Sequence, residues 1–550
     1  MKKKIYSLFF ALSVLFASSC DMDLLDNPNV VTAETASPTF LLNKIQLDYA
    51  ELFNTTSTNG MRLTRMMSQP SNLYEQAYIP VNFNGIWSNA YANILNDIAF
   101  LEGMNENTPI PRHMAIAKTI KAMVLMTLVD YFGDIPFSQA LDPSNYNPTT
   151  DDGESVYAAA LAALQEARVA FGESTTRMPQ DLYYTNNAAG VARWQKLINS
   201  LELKYHLNRR LIDVPGSTAA INSLITEDNF LGAGDDFVFR YGTTQANPDS
   251  RHPRFSQYGA GGGDYQSTWY MWNLTEAKGF DDPRARYYFY RQVLVNPTDA
   301  DALRCIGEIA PSHYLAGGWP FCLPGSRGYW GRDHLNAEGI PPDNLLKTVY
   351  GIYPAGGKFD NNAGTNVGGS AGATLGAAGA GVQPIMLASF VDFMLAEAAI
   401  TLGTAGDASA LTMSGITKHM NYIRAYALST ADAANVGAFY PNEDWTARVN
   451  EYVAFVNNEF TTATSNDARL NIIGREYWLS LFGNGNEAYN LHRRTGKPSN
   501  MQPGLLASFG DYPRSFFYPN NYMVTNNNAS QKPSQRVRVF WDTNPEGFIY

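Results

Sequence analysis

The first cysteine of the chain, Cys20, stands where a lipid-attachment signal would place it. Residues 1–19 begin with lysines, continue with an almost unbroken apolar run from Ile5 to Phe16, and end in small residues. This order is typical of a secretory signal peptide, and a hydrophobic residue followed by small residues and cysteine forms a lipobox, whose thiol receives a lipid. The apolar run is shorter than the roughly 20 residues of a membrane-spanning helix. We expect residues 1–19 to be cleaved and Cys20 to be lipidated; the alternative is an ordinary signal peptide with an incidental cysteine.

The two remaining cysteines are Cys305 and Cys322. An exported chain folds in an oxidising compartment, where cysteines pair. The sequence leaves open either a disulfide between them or two separate buried thiols. No metal site is predicted, because the chain has no CxxC spacing and only seven histidines.

Signatures of catalysis are missing or stand in the wrong context. The sequence contains no HExxH, no Walker loop and no GxGxxG. Its one GxSxG match, Gly368–Gly372, lacks the preceding strand and following helix that a nucleophile elbow requires. Three acidic pairs are adjacent in sequence and fit helix starts and turns better than the separated carboxylates of a glycosidase: Asp151-Asp152, Asp235-Asp236 and Asp281-Asp282. The sequence predicts neither an enzyme nor a cofactor.

The composition excludes some partners and favours others. Removing the three lysines of residues 1–19 leaves 40 − 3 = 37 basic residues against 51 acidic ones, a formal charge of −14. Such a chain lacks the basic face that nucleic acid requires, and it would meet a membrane only through its lipid. Aromatic residues reach 13% and include 32 tyrosines and 9 tryptophans, while charged residues are only 17%. This balance suits the binding of sugars or peptides.

Helical patterns dominate two stretches, residues 38–213 and 382–497. Apolar residues recur there at spacings of three and four, which predicts amphipathic helices. The pairs resemble tetratricopeptide-type helical hairpins without a clean repeat. We therefore predict a mainly α fold with helices at about 38–54, 82–102, 117–132, 154–171, 191–211, 384–402, 409–428, 443–457 and 468–482.

The stretch between them, residues 214–381, has a different character. Helical periodicity fades, aromatic residues and glycines increase, and short strands are predicted at Phe237–Phe239 and Tyr287–Tyr290. Residues 355–381 hold nine glycines and predict a mobile loop or an excursion over the surface. The tail, residues 498–550, is rich in Asn and Pro and is expected to pack on the body, with a short strand at Val537–Trp541.

Four segments carry a resemblance to the SusD/RagB family. They are NFNGIWSNAYANILNDI (Asn82–Ile98), YFGDIPFSQAL (Tyr131–Leu141), GYWGRDHLNAEGIPPD (Gly328–Asp343) and IGREYWLSLFGNGNEAYNLHRRTGKP (Ile473–Pro498). The last is similar to the branch with an FGNG-EA---RRTG-P pattern. The resemblance implies an outer-membrane lipoprotein facing the cell exterior, with no catalytic activity of its own. It would act as the lid of a SusC-like TonB-dependent transporter and deliver oligosaccharides, or peptides as in RagB.

The resemblance also implies where ligand and scaffold residues lie. The chain would be one domain from residue 38 to 550, held by a slack tether, residues 20–37, and its ligand site would combine the loop after the first helix with the variable region 214–381. Candidate ligand residues are Gln69, Asn72, Tyr74, Trp269, Trp272, Trp319 and Trp330. Each tryptophan is also a core candidate; our hypothesis is that at least two of the four stack on ligand. Expected scaffold residues are Trp87, Trp194, Trp478 and Tyr489. Four charged residues are expected to form ion pairs or to cap helices near the C-terminal turn, with contact to the transporter as the alternative: Arg475, Glu476, Arg493 and Arg494.

Three functions remain open from the sequence. The first is a surface protein that delivers glycan, and the second is the same scaffold delivering peptide. The third, a lipid-anchored glycosidase, would require two loop carboxylates about 5–9.5 Å apart in a cleft.

Overall fold

The structure is a computed structural model that describes residues 37–261, 264–338 and 346–550. The expected signal peptide, Cys20 and all of the expected tether except Ser37 lie outside the described residues. Before the variable region the α-helices are Pro38–Leu63 (α1), Tyr74–Ala77 (α2), Asn84–Ser88 (α3), Asn96–Asn107 (α4), Pro111–Phe132 (α5), Gly153–Gly172 (α6), Ala188–Arg209 (α7) and Val214–Glu227 (α8). A 3-10 turn, Pro80–Phe83, precedes α3, and a π-helical stretch, Asn89–Leu95, joins α3 to α4.

The variable region and the part that follows contain both element types. Its strands are Phe237–Arg240 (β1), Phe289–Tyr290 (β2), Val349–Tyr350 (β3) and Val382–Met386 (β4). The remaining α-helices are Thr268–Thr275 (α9), Ala285–Tyr288 (α10), Ser312–Gly317 (α11), Ala388–Leu402 (α12), Ala408–Leu428 (α13), Ala433–Phe439 (α14), Asn442–Thr462 (α15), Asn466–Ser480 (α16), Gly485–Thr495 (α17) and Asn520–Thr525 (α18).

Helical hairpins form the scaffold, as the periodicity predicts. Consecutive helices pack as pairs, α5 on α6, α7 on α8, α12 on α13 and α15 on α16, and α12 also contacts α7. One hydrophobic core cluster runs through both helical stretches, and Trp87, Trp194, Trp478 and Tyr489 are all buried in it. The predicted mainly α fold class is confirmed. Within the described ranges, no helix has the length and apolarity needed to cross a membrane.

Helix α1 runs about two and a half turns beyond its predicted end at residue 54, to Leu63. Its last part, rich in Asn, Thr and Ser, resembles a loop in sequence, but tertiary contact overrides that preference. The Thr56 hydroxyl donates back to the Leu52 carbonyl at 2.9 Å. Gly60 meets Gly485 at the start of α17 so closely that a Cβ on Gly60 would lie 2.0 Å from the Gly485 oxygen. Packing of α1 on α17 therefore extends the helix.

Helix α17 explains why its sequence segment is so distinctive. The Asn484 side chain caps the helix by accepting from the Glu487 amide at 3.1 Å. Arg494, fully buried, reaches both Glu397 of α12 at 2.7 Å and Glu487 at 3.1 Å. Its guanidinium also donates to the Asn208 side chain of α7 at 2.6 Å. The FGNG-EA---RRTG-P residues are thus scaffold, holding three helices together.

The other predicted ion pairs form in the scaffold too. Glu476 on α16 accepts from Arg475 at 3.0 Å and from Arg284 at 2.7 Å, and burial leaves none of its side chain exposed. Arg493 instead places its guanidinium 3.7 Å from the centre of the Tyr489 ring and 4.8 Å from that of Trp541. Arg493 therefore makes cation–π contacts where an ion pair was expected.

Two small antiparallel sheets connect the variable region to the scaffold. Strand β1 pairs with β4, with Val238 opposite Pro384 and Arg240 opposite Val382, and β2 pairs with β3. The predicted strand at residues 237–239 is confirmed. The one at 287–290 is half wrong, because Tyr287 and Tyr288 end helix α10 and only the last two residues pair with β3.

Three further expectations about this half of the chain are corrected. The helical scaffold extends to Glu227, because α8 follows the predicted boundary at 213. For the glycine-rich stretch the correction applies to residues 355–360, where Phe359 is buried, and not to residues 361–376, most of which are exposed or half-buried. No strand forms at residues 537–541 of the described tail. The tail backbone bonds elsewhere, as where the Ser515 hydroxyl donates to the Val537 carbonyl at 2.5 Å.

Candidate ligand-binding site

The loop between α1 and α2, residues 64–73, is held against the tail by Arg65. This arginine has a positive φ of 58° and no exposed surface. Its guanidinium donates to the carbonyl oxygens of Gln502 at 2.8 Å and Tyr550 at 2.7 Å. The expected ligand loop is therefore part of a surface that also includes residues 500–512 and the end of the chain.

Tyr74 and Gln69 are buried in this loop, at 0% and 4% exposure. The Tyr74 hydroxyl lies 2.8 Å from His334 Nε2, and the Tyr74 ring packs against Phe509 and Tyr512. Burial raises the pKa of Tyr74 to about 12. A side chain without accessible surface cannot contact a ligand, so the prediction that these two bind ligand directly is corrected: they position the loop.

Asn72 is the exposed member of the loop set. Its side-chain oxygen accepts from the Ala337 amide at 3.3 Å. Its other polar positions face solvent beside the described edge of the variable region. Asn72 therefore remains a candidate for reading a ligand hydroxyl or amide.

Trp319 is half-buried and lies next to the same tail segment. Its indole nitrogen donates to the Asn500 carbonyl at 3.3 Å. Helix α11 just before it is fixed to the tail, since the Tyr314 hydroxyl donates to the Pro503 carbonyl at 2.9 Å. A Cβ at Gly317 would lie 1.8 Å from the Trp319 ring, so the ring can take this position only over a glycine. The Trp319 ring is thus fixed by its bond to the tail, and part of its surface remains accessible to a ligand.

Trp330 is fully buried, and its prediction as a stacking platform is corrected. It packs with Leu303 and with Cys305 and Cys322, which form a disulfide with their Cα atoms 5.6 Å apart. Of the two possibilities that the sequence left open, the structure shows the disulfide. Trp330 therefore belongs to a small core beneath the Trp319 segment.

Asp333 ties that small core to the tail. Its carboxylate accepts from the Cys322 amide at 2.9 Å and from the Gln502 side chain at 2.9 Å. Burial raises the pKa of Asp333 to about 6. The disulfide, Asp333 and Gln502 together fix the chain on both sides of Trp319.

Trp269 and Trp272 lie together on α9. Their rings stack with centroids 5.0 Å apart, and Trp269 is 3% exposed whereas Trp272 is half-buried. Neither ring forms an aromatic pair with Trp319 or Trp330. Trp269 is thus the buried support of Trp272, and only Trp272 keeps surface that a ligand could cover.

A cavity of about 450 Å³ adjoins the loop on its tail side. It is lined by Phe509 and Tyr512, the two rings that contact Tyr74, and by charged side chains of both signs that include Asp511, Arg536, Arg538 and Glu546. None of these residues is a candidate from the sequence, where Arg538 falls within the strand predicted at Val537–Trp541. Such a lining offers donors and acceptors to hydroxyls or to peptide groups.

The geometry defines a class of protein: a helical scaffold that presents ring and amide groups from loops, with its charged core residues paired to one another. Comparisons agree. A family model described as starch-binding, associating with outer membrane, matches residues 28–308, and one described as SusD and RagB outer membrane lipoprotein matches residues 379–538. The chain belongs to the SusD/RagB family of outer-membrane lipoproteins, which confirms the resemblance.

Solved structures share the fold at low sequence identity. A SusD homologue from Bacteroides fragilis is 20% identical, with a TM-score of 0.63 over 90% of this chain and 93% of its own. A chitin-binding protein is 19% identical, with a TM-score of 0.63 over 92% and 100%. A SusD/RagB family protein from Bacteroides thetaiotaomicron is 16% identical, with a TM-score of 0.65 over 93% and 100%. No curated protein sequence matches the chain.

Proposed function

We propose that this protein binds nutrient oligosaccharides at the cell surface and delivers them to a SusC-like TonB-dependent transporter as its lid, without catalysing a reaction. The observation that carries the glycan assignment is the anchored, half-exposed ring of Trp319, whose indole nitrogen bonds to the backbone carbonyl of the exposed Asn500. Aromatic faces stack on sugar rings while amides bond hydroxyls. The description of the family model as starch-binding and the chitin-binding neighbour support the same ligand class.

A second candidate, peptide delivery, is favoured by the cavity beside Tyr512. Its lining pairs carboxylates with guanidinium groups, which suits the termini and side chains of peptides better than neutral sugars. The two candidates depend on different side chains. Glycan binding would depend on Trp319 and Trp272, and peptide binding on Arg536 and Arg538.

Titration calorimetry tests the ligand class. We expect purified protein to bind maltoheptaose or N-acetylchitohexaose, and the double variant Trp272→Ala/Trp319→Ala to lose most of that affinity. Tyr146→Ala, which removes an aromatic side chain that is 82% exposed elsewhere, is the matched control. Binding of a mixed peptide digest by wild type, with loss in Arg536→Gln/Arg538→Gln, would establish the peptide alternative instead.

A separate experiment tests the lid role. Deleting residues 22–35 would shorten the expected tether while leaving the lipobox and the body unchanged. We expect uptake of the bound glycan by cells to fall, and calorimetric affinity of the purified variant to stay at the wild-type value. Full uptake by the shortened protein would contradict the lid proposal.

A further inference from the structure

A second cavity, here called the α13 pocket, lies apart from the loop, the Trp319 segment and the tail. It measures about 360 Å³ and opens between the segment preceding α7, strand β1 and helix α13. The side chains that matter for its chemistry are Tyr184, Arg193, Asp236, Arg240, Tyr422 and Tyr426. Its volume is at the lower end of small-ligand sites, which is room for one or two sugar rings.

The walls of the α13 pocket are held by bonds to the backbone. The Tyr184 hydroxyl donates to the Asp235 carbonyl at 2.6 Å, and the Tyr426 hydroxyl donates to the Ala380 carbonyl at 2.7 Å. Asp236 accepts from the Ala388 amide at 2.9 Å, where α12 begins. Arg193 pairs with Asp235 at 3.3 Å. The pocket is therefore preformed, because its rings and its carboxylate are fixed by the scaffold itself.

Two polar groups of the pocket have no partner among the described residues. The Tyr422 hydroxyl is buried and makes no hydrogen bond, and a buried polar group without a partner is destabilising. The guanidinium of Arg240, at the exposed end of β1, forms no ion pair or hydrogen bond within the described ranges, although the Arg240 backbone pairs with Val382 of β4. Both contrast with the hydroxyls of Tyr184 and Tyr426, which are satisfied.

Tyr422 lines the same pocket as both charged groups. Burial raises the pKa of Tyr422 above its ordinary value; the negative charge of Asp236 adds to this rise and the positive charge of Arg240 opposes it. A guanidinium that donates, a carboxylate that accepts and a phenol in one pocket complement neighbouring hydroxyls of a sugar ring. An anionic ligand fits less well, because the Asp236 carboxylate would face its charge.

We propose that the α13 pocket is a second saccharide-binding site, which holds one or two neutral sugar residues against the tyrosine rings and between Asp236 and Arg240. The proposal rests on the glycan function proposed above and adds a site remote from the Trp319 segment. Two sites on one body would let a long glycan bind at two points, which raises overall affinity through effective concentration.

The test uses variants that remove a polar group and leave the fold intact. Tyr422→Phe deletes a hydroxyl that has no partner, and Arg240→Gln changes an exposed side chain without one, so neither should lower the unfolding temperature. Tyr522→Phe and Arg177→Gln are matched controls: Tyr522 has another buried, unpartnered hydroxyl, and Arg177 is another exposed arginine. The probes are maltotriose and N,N′-diacetylchitobiose, measured by calorimetry and by ligand-observed NMR.

Saccharide binding by these variants is measured in the Trp272→Ala/Trp319→Ala background, which lacks the two rings of the glycan site proposed above. We expect that background to retain weak binding of at least one probe, and either pocket variant to weaken it at least fivefold while both controls do not. Retained binding that is indifferent to Tyr422→Phe and Arg240→Gln would overturn the pocket, as would complete loss of binding in the background alone. Failure of the wild-type protein to bind any of these saccharides, or maltoheptaose or N-acetylchitohexaose, would instead overturn the glycan function itself. Arg240-dependent binding of galacturonate without binding of neutral sugar would overturn the neutral ligand class.

Discussion

Helix α17 and the Trp319 segment use similar residues in opposite ways. In α17, charged and aromatic side chains contact other side chains of the protein: Arg494 pairs with two carboxylates, and Arg493 stacks on Tyr489. Around Trp319, the partners are backbone carbonyls of the tail, and part of the ring stays accessible. The segment that identifies the family is thus the part that cannot contact a ligand. The Trp319 segment, by contrast, is held by backbone carbonyls of the tail, by the disulfide and by Asp333, and it keeps part of one ring accessible.

The largest effect on stability is expected from removing the charge of Arg494 in the scaffold. Arg494→Met leaves Glu397 and Glu487 buried near one another without their shared cation. We expect a loss of about 3–5 kcal/mol in the free energy of unfolding, the usual cost of breaking a buried pair. Urea unfolding measures it.

Arg304→Met is the matched control for that change, because Arg304 is 74% exposed and pairs with Glu308 at the surface. Its expected cost is below about 1 kcal/mol. Equal losses in the two variants would show that burial of the Arg494 network does not stabilise the scaffold.

The disulfide tests whether the Trp319 segment is held from below. Replacing both Cys305 and Cys322 by serine opens a closure of 17 residues. We expect a loss of about 3 kcal/mol in the free energy of unfolding, together with weaker binding of the best oligosaccharide ligand. Unchanged affinity with lowered stability would show that the tail contacts alone position Trp319.

Asp333 gives the same segment a dependence on pH. Burial raises its pKa from 3.8 to about 6 in the folded protein. The folded state therefore holds this proton more tightly than the unfolded chain, so the stabilisation is fully present below pH 3.8 and is lost as the pH rises through about 6. The shift corresponds to about 3 kcal/mol at most.

Asp333→Asn does not titrate and should remove that dependence. We expect the stability of wild type relative to Asp333→Asn to fall across this pH window in urea unfolding. Asp444→Asn, at an exposed position on α15, is the control and should show no such trend. A constant difference between wild type and Asp333→Asn would contradict the raised pKa.

The smallest expected effect is on the ligand side. Trp319→Ala removes one stacking ring, worth about 1 kcal/mol, so the Kd for the best oligosaccharide should rise about fivefold. The unfolding temperature should change less than in the disulfide variant, because the ring is only half-buried. An unaltered Kd would move the glycan contact to Trp272 or to the α13 pocket.

The sequence predicts most of the scaffold and little of the site, for a physical reason. Helix α5 could be located because its apolar residues repeat with the period of the helix, and that signal is local. The burial of Tyr74 depends on Phe509 of the tail, hundreds of positions away, and that of Trp330 depends on the disulfide that joins Cys305 to Cys322. A tryptophan in a glycine-rich context has the same appearance in sequence whether its ring faces the core or solvent.

The residues of the α13 pocket are even harder to predict from the sequence. Of its residues, only Asp236 belonged to a pattern that the sequence singled out, as half of an adjacent acidic pair. Tyr184 and Tyr422 are brought together through α12, which packs on both α13 and α7, and no spacing along the chain encodes this arrangement. Predicting this pocket requires the tertiary structure.

The close contact between Gly60 and Gly485 has a mechanical consequence. Helix α1 has 26 residues, a rod of about 39 Å at 1.5 Å per residue. A pull applied at Pro38 travels along this rod and reaches the body where α1 meets α17, with Arg65 just beyond bonding to the tail. Tension from the membrane side is thus expected to enter the body along α1 and at this close junction, and it reaches the Trp319 segment only through Gln502 of the tail, whose side chain bonds to Asp333.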